Sequence, residues 1–128
     1  MQVDLAKVNN LIDKNDNEFK YWLDRYKYFN RYPEQSQFDY QQQGEIFLAE
    51  LEGLLAENTY LLGYNISVAD IAIMPFVRQF AHVNRELFYS LPYPQLQKWL
   101  RAWLEHDVFL QAMVKLKPWE VENAYMFG

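Results

Sequence analysis

The sequence has no cysteine, few glycines and few histidines. Without cysteine, disulfide frameworks, thiolate metal sites and a cysteine nucleophile are excluded. The glycines are scattered along the chain, so it contains neither a P-loop nor a dinucleotide-binding fingerprint. His82 and His106 lack the spacing of a metal-binding pair, and a surface or helix-end position is expected for both. The sequence therefore predicts no metal site.

Serine and acidic residues also offer no catalytic pattern. None of Ser36, Ser67 and Ser90 lies in a nucleophile elbow. The charged residues between Asp39 and Glu57 are all acidic. They fall where the solvated face of a helix is expected, and no pair of carboxylates is marked out for catalysis. We therefore assign no catalytic residue from the sequence.

Long hydrophobic runs and a basic leader are missing as well. No segment approaches 18 consecutive apolar residues, and the N-terminus, MQVDLAKVNN, has no basic region followed by an apolar one. These features predict a soluble, cytoplasmic protein that does not bind membranes. The formal net charge of −5 also disfavours nucleic acid as a partner.

What the sequence does contain is apolar and aromatic residues in helical patterns. Apolar residues make up 51% and aromatic residues 18% of the chain, which indicates a single globular domain over residues 1–128. Helical spacing recurs throughout, whereas no run of four or more residues alternates convincingly with period two. An all-α helical bundle with mostly antiparallel neighbours is predicted.

The first two helices are predicted from short apolar patterns. Leu5, Val8 and Ile12 mark a helix that ends at the polar run DKNDN, residues 13–17. Asp16 is placed to cap the second helix. The apolar face of that second helix consists of Phe19, Trp22, Leu23 and Tyr26.

The clearest periodicity belongs to a third helix, which is expected to end near Asn58, ahead of the turn residues Gly63 and Asn65. Its glutamates occupy the side opposite the apolar stripe, and we expect that side to face solvent. The stripe is formed by Tyr40, Gly44, Phe47, Leu48, Leu51, Leu54 and Leu55.

The stretch NISVADIAIMPFVRQF, residues 65–80, has an apolar run that fits either a buried strand or a buried helix. Ser67 and Asp70 have the spacing of a capping box, and Pro75 argues against a central strand. We therefore predict a buried central helix over residues 67–81 with a kink at Pro75. A general-base role for Asp70 is the less favoured alternative; as a cap, its replacement by alanine should cost about 1 kcal/mol.

Two further helices are predicted towards the C-terminus, after a turn that contains NRELF, residues 84–88. Pro94 suits the first turn of one helix. The apolar face of this helix contains Leu96, Trp99, Leu100 and Trp103. Asp107 is placed to cap a last short helix. The apolar residues of this last helix are Phe109, Ala112 and Met113.

The segment RYKYFNRY, residues 25–32, interleaves cations with aromatic rings. Such a mixture can stack bases and neutralise phosphates, hold a small anionic ligand, or carry arginine and lysine stems over aromatic packing. Packing is the default interpretation. A small anion is favoured over nucleic acid, because an acidic protein with one short basic segment lacks the usual nucleic-acid footprint.

Two motifs resemble the C-terminal domain of cytosolic glutathione S-transferases. One is YLLG at residues 60–63 followed by SVAD at residues 67–70, which is similar to the family's aromatic-Leu-hydrophobic-Gly turn and its Ser/Thr-x-Ala-Asp helix start. The other is YPQLQKW at residues 93–99, which is similar to Tyr-Pro-x-Leu-x-x-Trp. The resemblance implies an all-α bundle with the fold of that domain.

The same resemblance implies partners and a co-substrate. In this family the bundle normally follows a thioredoxin-like domain, which carries most of the glutathione site and the group that stabilises the glutathione thiolate. No such domain is present in this sequence. We therefore expect that the chain alone binds no cofactor, that glutathione is a co-substrate of the intact protein, and that a thioredoxin-like N-terminal domain and a second copy in a homodimer are its partners.

Three hypotheses for function follow. The first is the C-terminal half of a glutathione S-transferase-like protein, inactive alone, which forms part of the dimer interface and the wall that binds a small hydrophobic electrophile. The family places the first helices at the interdomain cleft, so the candidate pocket residues are Tyr21, Arg25, Tyr28 and Trp119, with packing as the alternative for each. The second is a stand-alone protein interaction module of the same fold, which needs an exposed apolar patch. The third is a helical binder of small apolar ligands.

Overall fold

We analysed the fold in a computed structural model, which describes residues 5–105 and their side chains as far as residue 103. The α-helices are α1 (Leu5–Lys14), α2 (Lys20–Lys27), α3 (Gln37–Glu57), α4 (Val68–Val83), α5 (Arg85–Ser90) and α6 (Pro94–Glu105). Residues 5–105 contain no strand, only an isolated antiparallel bridge between Tyr60 and Gly63. The predicted all-α class is confirmed.

The polar run at residues 13–17 does not end the first helix, so the predicted break is wrong. A π-helical turn, Asn15–Phe19, joins α1 to α2. Lys14 and Lys20, which flank this turn, both have right-handed helical backbone angles, so Asp16 lies within the helical path and is not a cap. Within this turn Asn15 is fully buried; its side-chain amide donates to Asp16 at 3.2 Å, whereas its Oδ1 has no partner among the described residues. The preceding Lys14 pairs with Glu50 of α3 at 3.0 Å.

Helix α3 follows the predicted pattern, with its stripe of large apolar residues turned into the core. It begins at a capping box that sequence reasoning missed. The Asp39 N–H donates to the Ser36 hydroxyl at 3.1 Å, and the Asp39 carboxylate accepts from the Ser36 N–H at 3.3 Å. Gly44 is required by packing, because a Cβ there would lie 2.8 Å from the Phe80 ring of α4.

The periodicity of α3 predicts that its glutamates face solvent, and this prediction is wrong for two of them. Glu45 and Glu52 are half-buried and bind the start of α6. Glu52 accepts from the backbone N–H groups of Gln95 at 3.2 Å and Leu96 at 2.8 Å, and so caps α6 from another helix. Glu45 accepts from the Tyr93 hydroxyl at 2.8 Å. Burial, the hydrogen bond that Tyr93 donates to Glu45, and the charges of Glu45 and Glu52 raise the pKa of Tyr93 to about 12.

Helix α4 is the central element, as predicted, and contacts α1, α2, α5 and α6. It continues through Pro75 to Val83, and the kink at Pro75 stays a prediction. Aromatic rings fill the space around its inner face. Phe80 packs on Phe19 and Tyr26 with ring centroids 5.8 Å and 4.7 Å apart, and Phe19 packs on Phe47 at 5.1 Å.

Of the remaining helices, α5 packs on α4, and α6 packs on α3 and α4. Residues 84–88 were expected to be a turn, but Asn84 accepts from the Leu87 N–H at 3.1 Å and starts the short helix α5. His82 is exposed near the end of α4, where burial of its ring and then the charges of Arg85 and Arg78 lower its pKa.

The predicted apolar face of helix α6 is confirmed, because Leu96, Trp99, Leu100 and Trp103 are all buried. The last predicted helix, with Asp107, Phe109, Ala112 and Met113, lies outside the described residues, as does His106. None of the helices in residues 5–105 combines the length and apolar character that crossing a membrane requires.

Candidate functional site

One candidate site lies on α2 and the turn that follows it, where cations stack on tyrosine rings. The Arg25 guanidinium carbon lies 3.5 Å from the centroid of the Tyr21 ring and 4.5 Å from that of Tyr32. Arg25 also donates to the Tyr21 carbonyl oxygen at 3.2 Å. Because Tyr21 and Arg25 are four residues apart on one helix, they share a face, and the structure brings this predicted pair together.

On the same surface, two further cations lie near the ring of Tyr28. The Lys27 ammonium lies 5.1 Å and the Arg31 guanidinium carbon 4.9 Å from the centroid of the Tyr28 ring. Burial lowers the pKa of Lys27, and the nearby Asp24 carboxylate opposes this effect. We call this set the cation–tyrosine cluster: Tyr21, Arg25, Lys27, Tyr28, Arg31 and Tyr32.

The cluster is continuous with the core and yet open to solvent. Tyr21 packs edge-on against Trp22 at 4.7 Å, and Trp22 lies 6.3 Å from Tyr40 of α3. Even so, the Tyr21 ring is 46% exposed and Tyr28 is 38% exposed. The surface therefore offers aromatic faces beside fixed positive charges, which suits a flat apolar molecule with an anionic group. Trp119, the other predicted pocket residue, lies outside the described residues.

The burial and hydrogen bonds of Asp70 indicate a structural role for its carboxylate. It is fully buried, and its carboxylate accepts hydrogen bonds from the Ser67 N–H and hydroxyl, the Leu61 N–H and the Trp99 indole, each at 3.0 Å. The capping box at Ser67 is therefore present and extends beyond its helix. With no exposed surface and four hydrogen bonds to protein donors, Asp70 is not accessible to a substrate.

A cleft of about 370 Å³ lies between the C-terminal end of α3, the loop at residues 58–66 and α6. Sequence reasoning missed it, because each of its aromatic residues was assigned to packing. The clearest signal was the presence of two tryptophans four residues apart, Trp99 and Trp103, on the same helix face. Its main aromatic and charged lining residues are Tyr60, Tyr64, Trp99, Trp103, Lys98 and Glu57.

The walls of this cleft are held by hydrogen bonds. Tyr60 and Gly63 exchange backbone hydrogen bonds of 2.9 and 3.4 Å, and Gly63 has a φ of 154°, which favours glycine. Asp70 fixes both the Leu61 backbone and the Trp99 ring. The cleft is thus preformed in the folded chain. In the part of the chain that the structure describes, no three His, Cys, Asp or Glu residues are grouped so that they could hold a metal ion.

Comparisons with known proteins give one finding. A family model described as "Glutathione S-transferase, C-terminal domain" matches residues 37–102, just over half of the chain. The matched range begins with α3 and runs into α6, and it includes Asp70 and the donors that bind to it. Searches against curated proteins and against solved structures each found no match.

Proposed function

Because the chain belongs to the family of glutathione S-transferase C-terminal domains, we propose that it is the helical half of a glutathione S-transferase-like protein. In that role it forms the hydrophobic wall for the acceptor substrate and part of the dimer interface. Its partner is a thioredoxin-like N-terminal domain, and glutathione is the co-substrate of the intact cytoplasmic protein. The family match, with the motifs at residues 60–70 and 93–99 inside it, is the observation that carries the proposal.

The cation–tyrosine cluster supports the role as an acceptor wall. The exposed face of Tyr21 can contact an apolar electrophile, while Arg25 behind it holds the ring in place from a distance of 3.5 Å. A ring stacked by a guanidinium keeps its orientation, and an ordered wall loses less entropy when a substrate binds. Tyr28, which directly follows α2, extends the same wall by about two helical turns.

Dependence on a second domain is supported by the chemistry available in the described chain. A glutathione transfer requires a lowered thiol pKa. In the described residues, burial and then Glu45 raise the pKa of Tyr26 and that of Tyr93, and the Tyr93 hydroxyl already donates its proton to Glu45 at 2.8 Å. Such hydroxyls are weak acids and poor donors to a thiolate, so we infer that the activating group comes from the partner domain.

The outward face of α3 supports a role in dimer formation. This face carries no charge along its length and consists of the exposed residues Phe38, Gln42, Ile46, Ala49, Gly53 and Ala56. A Cβ at Gly53 would meet nothing within 4 Å, so packing inside the chain does not require this glycine. Glycine inside a helix costs roughly 0.5–1 kcal/mol relative to alanine. A second protein surface that packs closely against α3 would explain why position 53 is glycine.

A stand-alone interaction module remains the second candidate, and the same face favours it. Acidic residues border both sides of the uncharged stripe, with Glu45 and Glu52 on one side and Asp39, Glu50 and Glu57 on the other. A partner with an apolar centre and basic flanks would complement this surface without any thioredoxin-like domain.

Calorimetric titration of the chain with glutathione tests the first proposal. We expect no heat of specific binding, because the thioredoxin-like domain carries most of the glutathione site. A site with micromolar affinity would contradict the proposal.

A chimera tests the acceptor wall directly. With the chain joined behind the thioredoxin-like domain of an active glutathione S-transferase, Tyr21→Ala should raise KM for an aromatic electrophile several-fold and leave KM for glutathione unchanged. Tyr64→Ala is the matched control, because Tyr64 is also exposed but lies in the cleft beside α6. Equal effects of the two variants would count against the wall.

A further inference from the structure

The cation–tyrosine cluster places positive charge on a protein that is otherwise acidic. Residues 20–34 contain four cations and two carboxylates, whereas the rest of the chain contains eight cations and fifteen carboxylates. The two carboxylates are Asp24 and Glu34. Among the described residues, neither Arg25 nor Arg31 forms an ion pair with these or with any other carboxylate. Both guanidinium groups therefore keep a charge that can attract an anion from outside the chain.

The packing of Arg25 fixes its guanidinium group and leaves hydrogen-bond donors for a ligand. The group is held between two rings, 3.5 Å from the centroid of Tyr21 and 4.5 Å from that of Tyr32. One of its N–H groups donates to the Tyr21 carbonyl oxygen at 3.2 Å, whereas a guanidinium has five N–H donors. Because these donors lie in the plane of the group, stacking on a ring does not block them, and they suit a carboxylate or a sulfonate.

The rings beside these cations are open to solvent. Tyr21 is 46% exposed, Tyr28 is 38% exposed and Phe29, the next residue, is 40% exposed. The Arg31 guanidinium carbon lies 4.9 Å from the centroid of the Tyr28 ring. A small inorganic anion would leave these aromatic faces in water, whereas a ligand with its own ring would cover them. The surface therefore favours a ligand that combines a flat ring with an anionic group.

We propose that the cation–tyrosine cluster binds small aromatic anions, with the ring of the ligand packed against Tyr21 and Tyr28. The carboxylate or sulfonate of the ligand binds to Arg25 and Arg31. That such a ligand is the acceptor substrate rests on the proposed function, but its binding does not, because the chain alone contains every group involved. A failure to prefer aromatic anions would leave the transferase role in place with neutral acceptors.

A matched pair of ligands, 2-naphthoate and 2-naphthamide, tests the proposal when the isotope-labelled full chain is titrated with each and followed by NMR. The two ligands share a ring system and differ in charge. We expect naphthoate to bind on the order of fivefold more tightly and to shift mainly the amide signals of residues 21–32. Sodium chloride should narrow this difference, because the site is open to solvent. Acetate, which has the charge without the ring, should bind much more weakly than naphthoate.

Two arginine variants provide the second measurement. Arg31→Gln should reduce the preference for naphthoate by about twofold and leave the affinity for naphthamide unchanged, because an exposed charge is lost while the rings remain. Arg101→Gln is the matched control, since Arg101 also lies over a tyrosine ring, 4.5 Å from the Tyr89 centroid, but on α6. It should change neither affinity.

Equal affinity of the unmodified chain for naphthoate and naphthamide would overturn the proposal. So would acetate binding as tight as that of naphthoate, or a preference that survives in the double variant Arg25→Gln and Arg31→Gln. A loss of preference in Arg101→Gln equal to that in Arg31→Gln would also overturn it, because the anion would then not be bound by the cluster.

Discussion

At the scale of single residues, two aspartates of this chain occupy the same position in two capping boxes and differ in everything around them. Asp39 is exposed and serves only the start of α3. Asp70 is fully buried, and it binds the Leu61 N–H, 9 residues away, and the Trp99 indole, 29 residues away. The sequence predicted the box at Ser67 from its local spacing. It could not predict the distant donors, because they reach Asp70 only once α6 is packed.

This difference sets the expected cost of removing each carboxylate. Besides the cap hydrogen bonds from Ser67, Asp70→Ala leaves two distant buried donors unpaired, the Leu61 N–H and the Trp99 indole, at about 1–3 kcal/mol each. Its cost should therefore exceed the roughly 1 kcal/mol expected from the cap alone. We expect a loss of roughly 4 kcal/mol in the free energy of unfolding. Asp39→Ala should lose about 1 kcal/mol. Urea unfolding of both variants checks this, and similar losses in the two would show that the distant hydrogen bonds contribute little.

At the scale of helices, α3 organises α6 through its glutamates. Periodicity predicted which positions of α3 face the core, because large apolar residues repeat with the helical period. It could not show that Glu45 and Glu52, between that stripe and the solvent, bind the start of another helix. Pro94 indicated where α6 begins, but the acceptor that satisfies its first N–H groups lies more than 40 residues earlier in the chain.

Replacing Glu52 should therefore affect α6 more than its own helix. Glu52→Ala removes the carboxylate that caps α6, and we expect a loss of about 1–2 kcal/mol in the free energy of unfolding. Glu50→Ala is the matched control, since Glu50 forms an exposed pair with Lys14 that is worth about 0–1 kcal/mol. Hydrogen exchange should show faster exchange at Gln95 and Leu96 in the first variant alone. Unchanged exchange there would contradict the capping role.

At the scale of the whole molecule, the sequence predicted the fold class but not its concave surfaces. Each helix carries its own periodic signal, and the motifs at residues 60–70 and 93–99 identify the bundle. The cleft is different, because its walls come from residues 55–66 and residues 95–103, two stretches that are far apart in the sequence. The cation–tyrosine cluster was easier to predict, since all its members lie within residues 21–32.

The outward face of α3 leads to a prediction about assembly. A single helix stripe with several small residues buries too little area for a stable dimer, which needs roughly 1,000 Å² or more. Under the first proposal, the chain alone should therefore sediment as a monomer that associates weakly as its concentration rises. Ile46→Arg should reduce this association, whereas Asn9→Arg, at an exposed position of α1, should not.

A stable dimer in sedimentation would instead favour the interaction module, provided that Ile46→Arg dissociates it. A stable dimer that Ile46→Arg leaves intact would show that the α3 face is not the surface involved.

The π-helical turn at residues 15–19 also fixes the rotational register between α1 and α2. A π-helical turn holds one residue more than an α-helical turn, and each residue of an α-helix turns the chain by about 100°. Shortening the turn to an α-helical one would rotate Val8 and Leu11 away from the core while Phe19 stayed in place. The one extra residue in this turn thus allows the apolar faces of α1 and α2, which belong to one continuous helical segment, both to pack against the core.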